Sequence, residues 1–176
     1  MDRVKTWAKK NNKTIHDKGF VIIAPPGSGK SFWVRKHQKD WVDADEIFKD
    51  LGIHTKEWHS TKHTEKEEET HYRLCDQYLS IMKRAGLKII GSLFWEYKAD
   101  AIVLIDKNTH KLYVEKRKDL EWKYVEEIAT FLKKFSKKKA IPVYTTIDDA
   151  AVSKSTHKAS LHMYYFEQAM RQYSRC

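Results

Sequence analysis

An apolar run that ends in a glycine-rich loop constrains the fold of this chain more than any other feature. Residues Gly19–Ala24 form a continuous β-rich run, and Pro25-Pro26-Gly27 ends it. A strand that is apolar at every position is typical of a parallel sheet that is covered on both faces. Residues 30–37 lack glycine and proline and predict a helix that begins within the loop. The segment therefore predicts a strand-loop-helix unit of an α/β protein.

The alternation of strands and helices continues over nearly the whole chain. Further short apolar runs predict strands at Trp41–Asp43, Leu87–Leu93, Ala101–Ile105 and Ile141–Thr146. Pro142 cannot donate to a strand ladder, so the last of these strands is expected at an edge of the sheet or to begin there. The pattern predicts a three-layer α/β/α fold with a five-stranded parallel sheet, in a single domain over residues 1–176.

Apolar spacings of three and four residues predict the helices that follow the strands. The first covers Glu65–Ala85, with Leu74, Tyr78, Ile81 and Ala85 as its apolar stripe, and others run from Trp122 to Phe135 and from about Thr156 to Tyr173. The first 18 residues predict a short arm or helix that leads into the fold. Two polar segments, 54–69 and 108–119, interrupt the pattern and are candidate mobile segments that cover a substrate.

The formal net charge of +10 is the unusual bulk property of the chain. It attracts polyanions, so nucleic acid, nucleotides and anionic membrane surfaces all qualify as partners, and a solvated lysine-rich surface explains it equally well. No stretch approaches the roughly 20 apolar residues that span a bilayer, and the N-terminus has no apolar signal core. Two cysteines, Cys75 and Cys176, make no disulfide framework. We therefore expect a cytoplasmic protein that does not interact with a membrane and binds nucleic acid weakly.

The loop after the first strand carries the chemistry. Ala24–Ser31 matches the phosphate-binding pattern G-x-x-x-x-G-K-[ST], except that alanine replaces the first glycine. Such a loop needs glycines where backbone N–H groups wrap a phosphate, a lysine for the β- and γ-phosphates, and a hydroxyl for Mg²⁺. The residues expected to bind a nucleotide are Pro26, Gly27, Ser28, Gly29, Lys30 and Ser31. Lys30 is expected to be an exposed loop lysine with little packing role.

With these residues the chain resembles the small P-loop kinases, a group that includes nucleoside monophosphate, shikimate, gluconate and polynucleotide kinases and the zeta-toxin phosphotransferases. Trp41–Ile47 resembles the apolar-apolar-Asp-x-Asp end of strand two in shikimate-kinase-like enzymes. The resemblance implies ATP and Mg²⁺, with Asp43 and Ser31 on the metal side and Asp45 orienting or deprotonating the acceptor hydroxyl. Asp-Ala-Asp-Glu is also a common helix start, in which Asp43 or Asp45 acts as an N-cap.

A third resemblance lies in the segment 112–118, where small kinases carry a lid with a basic helix. Arg117 is its best candidate for a cation that meets the transferred phosphoryl group. A solvated basic helix face is an equal alternative. Together these residues indicate an ATP- and Mg²⁺-dependent phosphotransferase that acts on a hydroxyl or phosphate acceptor, in which Asp45, Lys30 and Arg117 are catalytic.

Departures from the family limit what the resemblance implies about the acceptor. Strand three ends in Gly91-Ser92 without the Asp-Gly-x-Pro-Arg element of adenylate kinase relatives or the triple glycine of shikimate kinases. No arginine follows Asp45, where polynucleotide kinases bind the acceptor phosphate. Asp106 is either a Walker B acid or a strand-end aspartate in a turn. A nucleic-acid-associated P-loop NTPase or a polynucleotide 5′-hydroxyl kinase therefore stays the alternative function.

Histidines and tryptophans outside the loop give weaker signals. His54, His59, His63 and His71 lack a clear carboxylate or cysteine partner and are interpreted as surface residues of a mobile segment rather than metal ligands. Trp58 and Trp95 are placed near an acceptor pocket, because aromatic faces stack on bases.

Overall fold

A computed structural model describes residues 2–53, 63–92 and 99–153 of the chain. It is an α/β structure with a five-stranded sheet in which every strand pair is parallel. In chain order the elements are α1 (Asp2–Lys10), β1 (Phe20–Ile23), α2 (Lys30–Lys36), β2 (Trp41–Asp43), α3 (Ala44–Asp50), α4 (Glu65–Arg84), β3 (Lys88–Gly91), β4 (Ala101–Val103), α5 (Lys107–Glu115), α6 (Trp122–Lys139) and β5 (Val143–Tyr144), followed by helical residues 147–153.

The strand order β2-β3-β1-β4-β5 places β1 at the centre of the sheet. All residues of β1 are buried, as its continuous apolar sequence predicts. β1 pairs with β3 on one side and with β4 on the other. β5 lies at an edge, where Pro142 needs no donor and its carbonyl accepts from Ile102 N at 2.9 Å. The edge position expected from Pro142 is confirmed.

Helices cover both faces of the sheet. One core cluster joins β-strand residues to α1, α3, α4 and α6, and includes Trp7, Phe48, Leu79 and Leu132. The other lies beneath α2 and residues 147–153, and includes Val34. This arrangement is compatible with a three-layer α/β/α fold. It also brings the ends of β1, β2 and β4 and the starts of α2, α3 and α5 to one edge of the sheet.

The buried face of α4 differs from the stripe expected from the sequence. The residues that face the core are His71, Cys75, Leu79 and Met82, with Ala85 following, whereas Leu74 is 40% exposed. The expected stripe is confirmed for Ala85, which is buried, and for Tyr78 and Ile81, which pack against the core, and it is wrong for Leu74. The sequence pattern missed the buried positions His71 and Asp76 because they are polar.

Several expectations fall on parts of the chain that the structure does not describe. The last predicted helix beyond residue 153, Trp58, Trp95, His54 and His59 lie outside the described residues. The polar segment 108–119 contains a regular helix, α5, for most of its length. Among the described residues, no helix is both long enough and apolar enough to cross a membrane.

Candidate functional site

The loop between β1 and α2 has the backbone geometry of an anion-binding turn. Gly27 and Gly29 adopt left-handed conformations with φ of 78° and 83°, and α2 begins directly after them at Lys30. Gly29 is the N-cap residue of α2, and no side chain caps this helix start. The first N–H groups of α2 are therefore directed at the loop without a capping side chain, as a phosphate would require.

The back of this loop packs on α5. A Cβ at Gly27 would lie 2.7 Å from Val114 Cγ2 and 3.5 Å from His110 Nε2, so glycine is required there for space as well as for φ. His110 Nε2 donates to the Pro26 carbonyl at 2.8 Å. Burial lowers the pKa of His110, the bond to Pro26 opposes this shift, and the charge of Lys30 adds to it. His110 thus fixes the loop from behind, a role that its position in a polar segment did not suggest.

Lys30 is buried, which contradicts the expectation of an exposed loop lysine. Only 7% of the residue is exposed, and Nζ donates to the carbonyls of Ala24 at 3.2 Å and Pro25 at 3.1 Å. Burial lowers the pKa of Lys30, the charges of Asp45 and Asp43 oppose that shift, and the charge of Arg117 adds to it. The ammonium group is folded back onto its own loop because the loop curls around the start of α2. An anionic ligand in the loop would be a stronger partner than neutral carbonyls.

Ser31 and Asp43 are joined directly. Ser31 Oγ donates to Asp43 Oδ2 at 2.7 Å, and Asp43 Oδ1 accepts from the backbone N–H of Asp45 at 3.1 Å. Asp43 is therefore the N-cap of α3, so the capping role that the sequence left open between Asp43 and Asp45 belongs to Asp43. The Asp43 carboxylate therefore accepts one hydrogen bond from the start of α3 and another from the Ser31 hydroxyl of the loop.

Asp45 is exposed in the first turn of α3, two residues after the N-cap Asp43. Its negative charge opposes the lowering of the pKa of Lys30 and adds to the raising of the pKa of Cys75. Burial, with the charges of Asp76 and Asp45, raises the pKa of Cys75 to about 12. The thiol therefore stays protonated at neutral pH and is not a nucleophile.

His71 lies next to Cys75 and is buried, with Nε2 3.7 Å from the sulfur. The interpretation of His71 as a surface residue is wrong, because α4 turns this position towards the core. The one sequence signal for this pair is the four-residue spacing of His71 and Cys75, which places both residues on the same side of a helix.

Arg117 lies just after α5 and beside the loop. Together with Tyr113 and Phe32 it lines a cavity of about 250 Å³ that the loop residues Gly27, Gly29, Lys30 and Ser31 complete. Its side chain is 48% exposed and forms two hydrogen bonds with Asp119, Nε to Oδ1 at 3.0 Å and Nη2 to Oδ2 at 2.6 Å. The hydrogen bond with Asp119 raises the pKa of Arg117. The structure thus brings Arg117 to the loop.

A second cavity of about 630 Å³ adjoins the loop on the side of β5, and sequence reasoning missed it. Its walls combine aromatic rings with the polar segment that follows β5, namely Phe32, Trp33, Tyr113, Thr145, Thr146 and Asp148. Trp33 Nε1 donates to Asp148 Oδ1 at 2.8 Å, which ties α2 to the start of the helical residues 147–153. Aromatic walls beside a phosphate loop suit a flat, heteroaromatic ring.

Ser28 lies in the loop and lines the larger of these two cavities. Its Oγ is buried and has no hydrogen-bond partner among the described residues. A buried hydroxyl without a partner costs free energy, so this atom favours a polar ligand in the loop.

A metal ion bound at this loop would have few protein ligands. The described residues contain no cluster of three or more His, Cys, Asp or Glu side chains that could hold a metal ion. Mg²⁺ in nucleotide sites takes one or two protein ligands and completes its shell with phosphates and water, so Ser31 and Asp43 fit that ion. Asp106, the alternative acid, is an N-cap: its carboxylate accepts from Thr109 N at 2.9 Å and Thr109 Oγ1 at 3.0 Å. Those bonds lower the pKa of Asp106.

Comparison with known proteins gives no relative from which a function could be transferred. The chain matches no protein-family model and no curated protein.

Proposed function

We propose that the protein is an ATP- and Mg²⁺-dependent phosphotransferase of the small P-loop kinase type, which moves a γ-phosphoryl group to a hydroxyl or phosphate acceptor. The observation that carries the proposal is the convergence of three groups at one end of the sheet. A glycine loop with a buried lysine, Ser31 and Arg117 all border one cavity, and Ser31 is hydrogen-bonded to Asp43. A cytoplasmic location stays a prediction from the sequence.

The donor nucleotide would lie across the loop, with its base in the aromatic cavity and its phosphates over α2. The N–H groups at the start of α2 and Lys30 would then bind the β- and γ-phosphates, replacing the carbonyls of Ala24 and Pro25 as partners of the ammonium group. A bound Mg²⁺ would neutralise phosphate charge and fix the reactive geometry. Ser31 and Asp43 are the residues that would hold it.

The acceptor would approach on the side of Asp45. This carboxylate is exposed in the first turn of α3, two residues after Asp43, so it would orient an acceptor hydroxyl and accept its proton as the oxygen attacks phosphorus. Arg117, which lines the cavity at the loop, would stabilise the charge on the transferred group.

The test is a phosphoryl-transfer screen with γ-labelled ATP and Mg²⁺ over nucleosides, nucleotides, small hydroxy acids and 5′-hydroxyl oligonucleotides. We expect transfer to one acceptor class and its loss in Lys30→Met. If ATP is hydrolysed only in the presence of nucleic acid and no acceptor is labelled, the kinase proposal is wrong and the NTPase alternative is favoured.

Asp45→Asn separates chemistry from folding on the acceptor that the screen identifies. The N-cap of α3 is Asp43, so the substitution leaves the cap intact. We expect kcat to fall by about two orders of magnitude or more while the melting temperature is unchanged. Glu46→Gln, on the same exposed turn, is the matched control and should keep its turnover. Wild-type turnover in Asp45→Asn would remove Asp45 from the mechanism.

A further inference from the structure

The end of the sheet opposite the phosphate loop is rich in positive charge. In a parallel α/β sheet the helices run against the strands, so their C-termini gather where the strands begin. Here α2, α4 and α6 all end at that edge with basic last turns. These turns contain Arg35, Lys36, Lys83, Arg84, Lys137, Lys138 and Lys139. Cations at helix C-termini interact favourably with the helix dipole, which explains part of this pattern.

Further lysines at the same edge lie outside those helix ends. Lys10 ends α1, Lys39 precedes β2, and Lys88 begins β3. Backbone hydrogen bonds hold these segments together: Thr14 N donates to the Lys39 carbonyl at 2.8 Å, and His16 N to that of Gly86 at 3.0 Å. These segments and the helix ends lie at the same edge, where the strands begin. We call this surface the basic end; it is defined by Lys10, Lys39, Arg84, Lys88 and Lys138, and it excludes Lys36, whose Nζ lies 4.5 Å from the centre of the Phe32 ring that lines the loop cavities.

Little of this charge is neutralised within the described part of the chain. Asp40 lies 3.6 Å from His16, and Asp100 forms an ion pair with Lys83 at 2.7 Å. Lys10, Lys39 and Lys138 are exposed and form no ion pair with a carboxylate of the described residues.

Three carboxylates, Asp17, Asp40 and Asp100, lie near the basic end, and more are found at the other end of the fold. Asp43, Asp45, Asp106 and Asp119 border the phosphate-loop end, and Glu65 begins α4. The net positive charge of the chain is therefore concentrated away from the candidate active site. A uniform lysine coat that serves only solubility would not give this separation.

We propose that the basic end is a docking surface for nucleic acid, bound through its phosphate backbone. Lysine predominates over arginine there, which suits diffuse phosphate contacts rather than recognition of base edges. The exposed aromatic side chains Phe32, Tyr113 and Tyr124 lie towards the phosphate-loop end. Among the described residues, the exposed large apolar side chains near the basic end are Ile15 and Val143, a smaller apolar area than a membrane surface would favour.

The position of this surface distinguishes it from the acceptor site. The two surfaces lie at opposite ends of β1, a strand of four residues and about 13 Å. A polyanion on the basic end would therefore contact the starts of the strands and not the loop that follows β1. It would localise the protein rather than serve as its acceptor, and the inference holds whether or not the proposed kinase activity does.

The test compares two triple variants with the same change in charge. One is Lys10→Glu with Lys39→Glu and Lys138→Glu at the basic end. The control is Lys66→Glu with Lys116→Glu and Lys123→Glu, exposed lysines away from that surface. Binding to a fluorescent DNA duplex of about 20 base pairs is measured by anisotropy over a salt series. We expect steeply salt-dependent binding by the wild type, a loss of at least about tenfold in the basic-end variant, and a change below about threefold in the control.

Equal losses in both variants, or no wild-type binding at low salt, would overturn the proposal. Tighter wild-type binding to phosphatidylserine vesicles than to DNA at the same salt concentration would overturn it in favour of a membrane. Circular dichroism melts check that each variant folds. If the glutamate triple does not fold, Lys10→Gln with Lys39→Gln and Lys138→Gln replaces it, and this variant should show the same loss with a smaller magnitude.

Discussion

Asp43 offers the sharpest test of the candidate site, because one carboxylate holds two structural bonds and a proposed metal-side role. Its two oxygens accept separately, one from Ser31 Oγ and the other from the N–H of Asp45. Substitution by alanine removes both bonds and the charge. Substitution by asparagine removes the charge alone, because the amide oxygen can accept from Asp45 N while the amide N–H₂ donates to Ser31 Oγ.

The structure sets the size of the two effects on stability. Loss of an N-cap costs about 1 kcal/mol, and loss of the Ser31 hydrogen bond about 1 kcal/mol more. In a chain of this size 1 kcal/mol corresponds to roughly 2–4 °C in melting temperature. We therefore expect Asp43→Ala to melt about 4–8 °C below the wild type, and Asp43→Asn to melt within about 2 °C of it.

Nucleotide binding should not follow this order of severity, because it should affect the two variants equally. Without Mg²⁺, both variants should bind ATP about as well as the wild type, since the loop and Lys30 are unchanged. With Mg²⁺, both should lose affinity by about 10–100-fold, because removal of a carboxylate beside the metal costs that much in metal sites. The assays are calorimetric titration with ATP in magnesium and in chelator, and thermal melting followed by circular dichroism.

Two results would refute the reasoning. If Asp43→Asn binds ATP with the magnesium dependence of the wild type, Asp43 is only a helix cap. If Asp43→Asn melts as low as Asp43→Ala, the two hydrogen bonds of Asp43 do not account for its contribution to the stability of the fold.

Three further predictions concern residues around the same loop. Lys30→Met should lose at least about 10²-fold in phosphoryl transfer while staying folded by circular dichroism, because an apolar side chain can occupy its buried space. Arg117→Ala should lose about 10²-fold or more in kcat with little change in melting temperature, since its exposed pair with Asp119 contributes at most about 1 kcal/mol; Asp119→Asn is the control and should keep kcat. Burial lowers the pKa of His110, so the unfolded chain binds more protons as pH falls from about 7 to 5, and the native protein is destabilised. His110→Gln should lack this pH dependence in urea unfolding; an unchanged profile would contradict it.

The sheet and the loop could be predicted because their signals are local. A continuous apolar run ended by prolines and glycines identifies β1 and the start of α2 without reference to the rest of the chain. Pro142 placed β5 at an edge for the same reason, since a missing N–H excludes an inner strand. These features follow from the chemistry of single residues and of their neighbours in sequence.

The features that sequence reasoning missed depend on contacts between distant segments. His110 lies 84 residues from the loop carbonyl that it binds, and Trp33 lies 115 residues from Asp148. Lys30 was expected to be exposed because nothing in its local sequence shows that two carbonyls of the loop fold over its ammonium group. Its burial is a property of the closed loop and not of the residue type.

The pair between Arg117 and Asp119 gives the last step in the proposed mechanism. In the structure Arg117 is bound by Asp119, so it must exchange partners before it can meet a transferred phosphoryl group. An exposed ion pair contributes about 0–1 kcal/mol, whereas charge-assisted hydrogen bonds contribute about 1.5–3 kcal/mol each when water is excluded. We therefore expect a phosphate in the cavity to compete successfully with Asp119. In the proposed mechanism Arg117 would then exchange Asp119 for the nucleotide at small cost.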